Sequence, residues 1–320
     1  MPIQWFPGHM HVTKKAIAER LKLIDVVIEL LDARLPGSSA NPMLQALSGN
    51  KRRLKVLNKQ DLADPAVTER WLAHYNAQSD TRAIALDASE RAPAQQIVRA
   101  CLALAPHRVG MAKPMRVMIC GVPNVGKSTL INTLKGKRQA KAADEAGVTR
   151  EEQRIVLADD FYLWDTPGML WPRIIVDQSG YNLAASGAVG RNAYDEEEVV
   201  LELLAYLRGH YAAELEARFS LPMPIVDLSD EEVLEAIGRR RGALLPGGRL
   251  NTQKAAEIVL TELRAGSIGR ISLETPEEYA QWLAEALARE AERKALLDAQ
   301  QAERKARRSG MRATDAGDPD

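Results

Sequence analysis

The first 175 residues contain short apolar runs rich in branched side chains, each followed by polar turn residues. Five such runs stand out: DVVIELLDA (25–33), LKVLNK (54–59), TRAIALD (81–87), KPMRVMIC (113–120) and FYLWD (161–165). Runs of this length and composition are typical of buried strands in a parallel sheet. The sequence therefore predicts five strands in this part of the chain.

Stretches with helical spacing of apolar residues lie before and between these runs. They cover residues 10–22, AVTERWLAHY directly after Pro65, and PAQQIVRACLAL (93–104). Proline is favoured at the first position of a helix, which supports the second assignment. Strands that alternate with helices predict an α/β fold with a mostly parallel sheet and helices on both faces.

Beyond residue 175 the strand pattern fades and the chain reads as helices, among them DEEEVVLELLAYLRG, EEVLEAIGRRRG and NTQKAAEIVLTELRAG. From about residue 286 the chain is dominated by Ala, Glu, Arg and Lys, which are typical of a solvated helix that frays into a disordered tail. We therefore predict three parts: an α/β domain (1–175), a small all-helical domain (176–285) and a charged helix with a tail (286–320).

Composition and charge limit the choice of class and compartment. Hydrophobic residues make up 46% of the chain and charged residues 27%, and the 43 basic residues balance 43 acidic ones. Any nucleic-acid surface must therefore be a local basic patch. The chain has two cysteines and no apolar stretch near the roughly 20 residues that span a bilayer. We expect a cytoplasmic protein, not bound to a membrane and monomeric.

A glycine-rich segment follows the fourth predicted strand and precedes a helix. GVPNVGKS (121–128) fits G-x-x-x-x-G-K-[ST], the phosphate-binding loop, in the structural context that this motif requires. Its backbone amides would surround phosphates, Lys127 would reach the β- and γ-phosphates, and Ser128 would bind Mg²⁺. The predicted nucleotide contacts here are Gly121, Pro123, Asn124, Val125, Gly126, Lys127, Ser128 and Thr129.

Asp165-Thr166-Pro167-Gly168 stands at the end of the fifth predicted strand. An aspartate there can hold Mg²⁺ through water, and the Gly168 amide can bind a γ-phosphate. The same residues also favour an ordinary turn, so the phosphate loop decides for the functional interpretation. In the polar stretch between the two motifs, Thr149 is the candidate for a second magnesium ligand.

A guanine-reading motif, Asn58-Lys59-Gln60-Asp61, follows the second predicted strand. The Asp61 carboxylate can accept hydrogen bonds from the ring NH and the amino group of guanine, a donor pair that adenine lacks. Asn58 would read the other edge and tie loops together, and the Lys59 stem would pack along the ring. Ala88 is a candidate to present its amide to the guanine oxygen. Ligands of open α/β sheets bind at such strand ends.

The order of the motifs is unusual, because the guanine motif precedes the phosphate loop. The chain resembles the circularly permuted GTPases, and within them the ribosome biogenesis GTPase A (YlqF/RbgA) family. The resemblance rests on WFPGHM (5–10), DVVIELLDARLPGSSANP (25–42), NKQD, GVPNVGKST (121–129), GVTR (147–150), DTPGML (165–170) and LRAGSIGRISLETP (263–276). A permuted family that matures the small subunit carries an OB barrel and a zinc module, neither of which this sequence shows.

The resemblance implies a circularly permuted P-loop GTPase domain that binds GTP or GDP with Mg²⁺, and it leaves K⁺ as one of two alternatives at Asn124. It implies that the partner is the precursor of the large ribosomal subunit, with its 23S rRNA, late in maturation. It also implies hydrolysis that is slow alone and stimulated by that subunit. An alternative is a GTP-gated RNA tether with little intrinsic hydrolysis. The carboxylate of Asp61 disfavours an ATPase.

Two catalytic assignments also follow from the resemblance. Met169 occupies the position where many small GTPases carry a water-orienting glutamine, and the family points to His9 for this role. The alternative is that His9 only caps the first helix. Asn124 is the residue that helps hold a potassium ion in similar GTPases, and the alternative there is a solvent-facing loop asparagine.

A local cluster of basic residues is the candidate RNA surface of the helical domain. Such a cluster could contact several RNA phosphates, and binding would then weaken steeply with salt. The alternative is a set of solvated charges on helix faces. The cluster comprises Arg239, Arg240, Arg241, Arg249, Lys254, Arg264 and Arg270.

Overall fold

The computed structural model describes residues 3, 17–106, 114–135, 153–158, 161–166, 170–171, 173–221 and 224–314. Within these residues six strands form one sheet in the order β3-β2-β1-β4-β6-β5. All neighbours are parallel except β5, which runs antiparallel to β6 at the edge. The strands are β1 (Val26–Asp32), β2 (Arg52–Asn58), β3 (Thr81–Leu86), β4 (Met115–Gly121), β5 (Gln153–Ala158) and β6 (Phe161–Asp165).

The central strands are apolar because helices cover both faces of the sheet. Every residue of β1 is buried, as expected for a strand between two parallel neighbours. Successive residues of β1 alternate between two core clusters: Val26 and Ile28 pack on one face, and Val27 packs on the other with Ile17 and Leu21. The predicted mostly parallel sheet with helices on both faces is therefore confirmed.

All five strands expected from the sequence are present, but the edge strand β5 was not predicted. Its sequence, QRIVLA, has only a short apolar stretch. An antiparallel edge strand has one neighbour, so it gives a weaker hydrophobic signal than a strand paired on both sides. The side chain of Ile155 in this strand is buried.

The helices of the first part follow the predicted alternation. Residues 17–21 are helical (α1), in agreement with the end of the helix expected at 10–22, whose start lies outside the described residues. Helix α4 starts as predicted, with Pro65 in its first turn and the Asp64 carboxylate accepting from the Ala66 and Val67 amides. The helices that follow α1 in this part are α2 (Pro36–Ser39), α3 (Pro42–Ser48), α4 (Pro65–Asn76), α5 (Arg91–Leu104) and α6 (Lys127–Lys135).

The second half is helical where it is described. Side chains of this helical region, including Leu204, Ile237 and Val259, share one buried cluster with strand residues such as Ile28 and Ile119. The two halves therefore pack on a continuous core, and the domain boundaries stay a prediction. The helices are α7 (Asp177–Ser186), α8 (Glu196–His210), α9 (Ala212–Phe219), α10 (Asp230–Arg240), α11 (Thr252–Arg264) and α12 (Pro276–Thr314).

The charged stretch expected from residue 286 is the continuation of the long helix α12, and the last six residues lie outside the described part. None of the described helices has the length and apolar character that a membrane span requires.

Candidate nucleotide-binding site

Three predicted motifs lie at the carboxyl ends of β2, β4 and β6, and β1 lies between β2 and β4. Strand β1 pairs with β2 on one side and β4 on the other, placing Asn58 opposite Asp32 and Gly121 opposite Leu30. Strand β6 pairs next to β4, with Asp165 opposite Ile119. This edge of an open parallel sheet is the usual position of a ligand site.

The loop after β4 needs glycine at two positions. A Cβ atom at Gly121 would lie 2.4 Å from the backbone oxygen of Leu30 on the neighbouring strand. Gly126 has a φ of +102°, and a Cβ there would lie 2.3 Å from Asn58 Nδ2. Helix α6 begins directly afterwards at Lys127. The loop is thus pressed against β1 and the guanine motif, with the helix N-terminus beside it.

Lys127 is held across this loop. Its Nζ donates to the carbonyl oxygens of Gly121 (3.0 Å) and Val122 (3.2 Å), and the side chain is buried. Burial lowers the pKa of Lys127 to about 8, although the carboxylate of Asp165 opposes the shift. The ammonium therefore has a strong electrostatic gain available from an anionic ligand in the loop.

Asp165 provides the complementary charge. Its side chain is buried, and among the described residues Oδ1 has no hydrogen-bond partner. Burial raises the pKa of Asp165 to about 6, while the charge of Lys127 acts in the opposite direction. The buried carboxylate oxygen without a partner at the end of β6, and the hydroxyl of the partly exposed Ser128 at the start of α6, are oxygen ligands of the kind that a hard divalent cation such as Mg²⁺ prefers.

Asn58 ties the guanine motif to both neighbouring loops. Its Nδ2 donates to the Val125 oxygen at 2.7 Å, and its Oδ1 accepts from the Ala88 amide at 2.8 Å. The side chain is only 3% exposed. The phosphate loop, the guanine motif and the loop after β3 are therefore joined by one amide.

The two charged residues that follow support the same loop. Lys59 has a left-handed φ of 62°, and its Nζ donates to Asp32 Oδ2 at 3.0 Å. Arg34 binds both oxygens of Asp32, at 2.9 and 2.8 Å. Burial would raise the pKa of Asp32, but the charges of Arg34 and Lys59 outweigh it and hold the pKa well below its ordinary value. Asp61 is exposed, and its charge interacts with both Arg34 and Lys59.

Asp32 and Arg34 were not among the residues predicted for the site. A signal was present, because the Asp-Ala-Arg sequence stands at the carboxyl end of β1, between the two strands that carry the motifs. Ligands of open α/β sheets bind at the carboxyl ends of strands, and this holds for the end of β1 as it does for Asn58 at the end of β2.

Comparison with known proteins matches this geometry. A family model described as "50S ribosome-binding GTPase" matches residues 116–215. Ribosome biogenesis GTPase A of Priestia megaterium is 43% identical over 292 residues, which cover 88% of this chain and 99% of that protein.

The chain belongs to the ribosome biogenesis GTPase A family.

The family extends to distant relatives and solved structures. The Thermotoga maritima member is 29% identical over 86% of this chain and 95% of its own length. A GNP-bound YlqF structure from T. maritima has a TM-score of 0.60 and 28% identity, and it covers 83% of this chain and 99% of that chain. These findings confirm the predicted fold class, a circularly permuted P-loop GTPase domain with a helical region after it.

Several residues predicted for this GTPase fall where the structure gives no description. His9, Thr149 and Gly168 lie outside the described residues, and so does Met169. Their roles stay predictions. The Ala88 amide donates its hydrogen to Asn58 in this structure, so its contact with the guanine oxygen also stays a prediction.

Asn124 contacts the helical region. It is exposed, has a left-handed φ of 55°, and its Nδ2 donates to the Gly187 oxygen at the end of α7, at 3.0 Å. The interpretation as a solvent-facing asparagine omitted this contact. A role in holding K⁺ stays a prediction.

Two residues of the predicted basic surface bind backbone oxygens in the structure. Arg264 donates to the Ala184 and Ala185 oxygens, both at 2.9 Å. Arg270 donates to the Gln60 and Ala63 oxygens, both at 2.9 Å. These contacts show what the two side chains bind in the folded chain, and their contact with RNA stays a prediction.

The five remaining basic residues are exposed, but three of them form local ion pairs. Arg239 pairs with Glu235 at 2.7 Å, Lys254 with Glu257 at 2.9 Å, and Arg241 with Glu262 at 3.2 Å. The pairs of Arg239 and Lys254 are largely exposed and therefore weak, so these two side chains can exchange a carboxylate for a phosphate, whereas the Glu262 side chain that pairs with Arg241 is only 15% exposed.

Proposed function

We propose that this chain hydrolyses GTP to GDP and phosphate in the cytoplasm, and that it acts in late maturation of the large ribosomal subunit. The observation that carries the proposal is the meeting of three motifs at one sheet edge. The glycine loop with Lys127, the buried carboxylate of Asp165 and the loop carrying Asp61 join at neighbouring strand ends.

In this proposal the chain's own residues divide the nucleotide between them. The backbone amides from Gly121 to Ser128 and the N-terminus of α6 bind the phosphates. Lys127 turns its ammonium from the loop carbonyls to the β- and γ-phosphates. Asp61 accepts from the guanine edge, while Asn58 fixes the relative position of the two loops. Asp165, Ser128 and Thr149 would hold Mg²⁺, which would supply charge neutralisation at the phosphates.

His9 is the proposed water-orienting residue, since Met169 has no hydrogen-bonding amide. Replacing His9 with alanine should collapse GTP turnover and leave GTP affinity nearly unchanged. Equal turnover rates for the variant and the wild type would contradict this assignment. A turnover rate that is higher in K⁺ than in Na⁺ would support a cation at Asn124.

The proposed partner is the large-subunit precursor, with its 23S rRNA. The support is the description of the matching family as a 50S ribosome-binding GTPase, the names of the relatives, and the exposed cluster Arg239, Arg240, Arg241, Arg249 and Lys254. Replacing Arg240 and Arg249 together should weaken binding to isolated large subunits and lessen its salt dependence. Unchanged binding would move the contact elsewhere on the molecule.

A GTP-gated RNA tether is the second candidate, because the water-orienting glutamine is absent. One experiment separates the two functions: GTP turnover with and without large subunits, in K⁺, for the wild type and His9→Ala. Strong stimulation that His9→Ala abolishes supports the enzyme. Binding to the subunits without stimulation supports the tether.

A further inference from the structure

A segment of the helical region crosses the loop that follows the guanine motif. Arg270 donates to the oxygens of Gln60 and Ala63, both at 2.9 Å. The Ile271 amide donates to the Leu62 oxygen at 2.9 Å, and the Asp64 amide donates to Ser272 Oγ at 3.2 Å. Residues 266–274, here called the clasp, thus bind the loop 60–64 on both sides of Asp61 and beyond it.

The clasp fits closely against the loop. Gly266 has a φ of +70°, and a Cβ atom there would lie 2.6 Å from Leu62 Cδ2. The clasp residues Ile271, Ser272 and Leu273 are buried. The hydroxyl of Tyr211 on the helical side accepts from the Ser272 amide at 3.2 Å. The clasp is therefore a packed element with a fixed position.

The clasp also contacts Arg34, which binds the Asp32 carboxylate that holds Lys59. The Leu273 amide donates to the Arg34 oxygen at 2.7 Å, and Arg34 Nη1 donates to the Leu263 oxygen at 3.2 Å. Arg34 in turn binds Asp32, which accepts from Lys59 Nζ at 3.0 Å. The guanine motif is therefore held at Lys59 by Asp32 and at Gln60 by Arg270 of the clasp.

Asp61 depends on this support more than its neighbours do. Its side chain is exposed, so packing does not fix it, and its position follows from the backbone of Gln60 and Leu62. Hydrogen bonds weaken steeply as their angles depart from linear, so an acceptor that reads two donors on one base needs a fixed backbone.

We propose that the clasp, acting mainly through Arg270, is the positioning element for guanine recognition. Arg270 holds the backbone on which Asp61 accepts hydrogen bonds from the ring NH and the 2-amino group of guanine. The helical region therefore sets the base specificity and the nucleotide dissociation rate of the site. This inference rests on the proposed role of Asp61.

The test compares Arg270→Ala with Arg208→Ala in the full chain. Arg208 is a matched control, because it also donates to a backbone oxygen, that of Val226 at 2.8 Å, but within the helical region. The measurements are the dissociation rate of a fluorescent GDP and the affinity ratio of GDP to IDP. The hypoxanthine of IDP keeps the ring NH and lacks the 2-amino group, so the ratio reports on the second hydrogen bond to Asp61.

For Arg270→Ala we expect GDP release about tenfold faster and a GDP-to-IDP ratio reduced about tenfold, the size of one to two ordinary hydrogen bonds. Arg270→Lys, which can reach one carbonyl, should fall between the alanine variant and the wild type. Arg208→Ala should match the wild type. An unchanged ratio in Arg270→Ala, or an equal loss for GDP and IDP, would overturn the proposal.

A separate variant distinguishes failure of the clasp from failure of the guanine assignment. Asp61→Asn should shift preference from GDP toward XDP, whose base carries an oxygen in place of the 2-amino group. If it does not, the role of Asp61 is wrong and the clasp has nothing to position. If it does while Arg270→Ala leaves the ratio unchanged, only the clasp is refuted.

Discussion

Replacing Asn58 with alanine tests whether one amide couples the two halves of the nucleotide site. Asn58 is 3% exposed, donates to the Val125 oxygen at 2.7 Å and accepts from the Ala88 amide at 2.8 Å. Truncation leaves a buried carbonyl and a buried amide without partners. Each such group costs about 1–3 kcal/mol, so we expect the free energy of unfolding to fall by about 2–4 kcal/mol after partial relaxation.

The assay has two parts. Urea unfolding of the nucleotide-free protein gives the loss of stability from the midpoint and slope of the transition. Fluorescence titration gives the GDP affinity, which should fall at least tenfold, because the phosphate loop and the guanine motif lose their fixed spacing.

Asn76 offers a matched control at the other end of the sheet. It also accepts from one backbone amide and donates to one backbone oxygen, but both belong to a single residue, Ala83, at 2.9 and 3.4 Å. Asn76→Ala should cost about 1 kcal/mol of stability and leave GDP affinity unchanged. The reasoning is refuted if Asn58→Ala unfolds like the wild type, or if both variants weaken GDP binding equally.

Three further predictions follow from the buried charges. Lys127→Met should lower GTP affinity about a hundredfold in titration, since it removes a charged donor from the phosphates. Burial raises the pKa of Asp165 to about 6, so its carboxylate destabilises the nucleotide-free protein above that pH. Asp165→Asn should therefore add about 1–3 kcal/mol to the free energy of unfolding at pH 7.5. The same variant should abolish the Mg²⁺ dependence of GTP binding. Burial raises the pKa of Glu274 to about 7. Its carboxyl group therefore favours folding fully below the ordinary pKa of glutamate, and this contribution is lost as the pH rises through 7. In Glu274→Gln, the decline of the free energy of unfolding in urea between pH 5.5 and 8.5 should be smaller by about 1–3 kcal/mol.

The sequence predicted those parts of the site that local chemistry determines. The strand β1 is buried at every position, so its apolar run was unambiguous. Gly121 and Gly126 are required by close contacts of the loop with Leu30 and Asn58, and both belong to the motif pattern itself. The bridging role of Asn58 could also be predicted from the sequence, because its position at the end of β2 puts it beside the neighbouring strand ends.

The sequence could not predict the contacts of the long charged side chains. Arg264 binds carbonyls 79 and 80 residues away, and Arg270 binds one 210 residues away. A basic cluster in the sequence gives no sign of which members meet backbone oxygens after folding. For the same reason the buried Glu274, bonded to the Ser38 amide 236 residues earlier, was not singled out.

The structure places the helical region against both ends of the proposed nucleotide site. The clasp binds the guanine loop, and the Gly187 oxygen after α7 accepts from Asn124 of the phosphate loop. A ligand that binds the helical region more tightly in one arrangement of these contacts changes the nucleotide affinity. Because coupling between sites is reciprocal, the nucleotide changes the affinity for that ligand by the same factor. Here both loops meet one helical region, so a partner docked on that region would act on base and phosphates together.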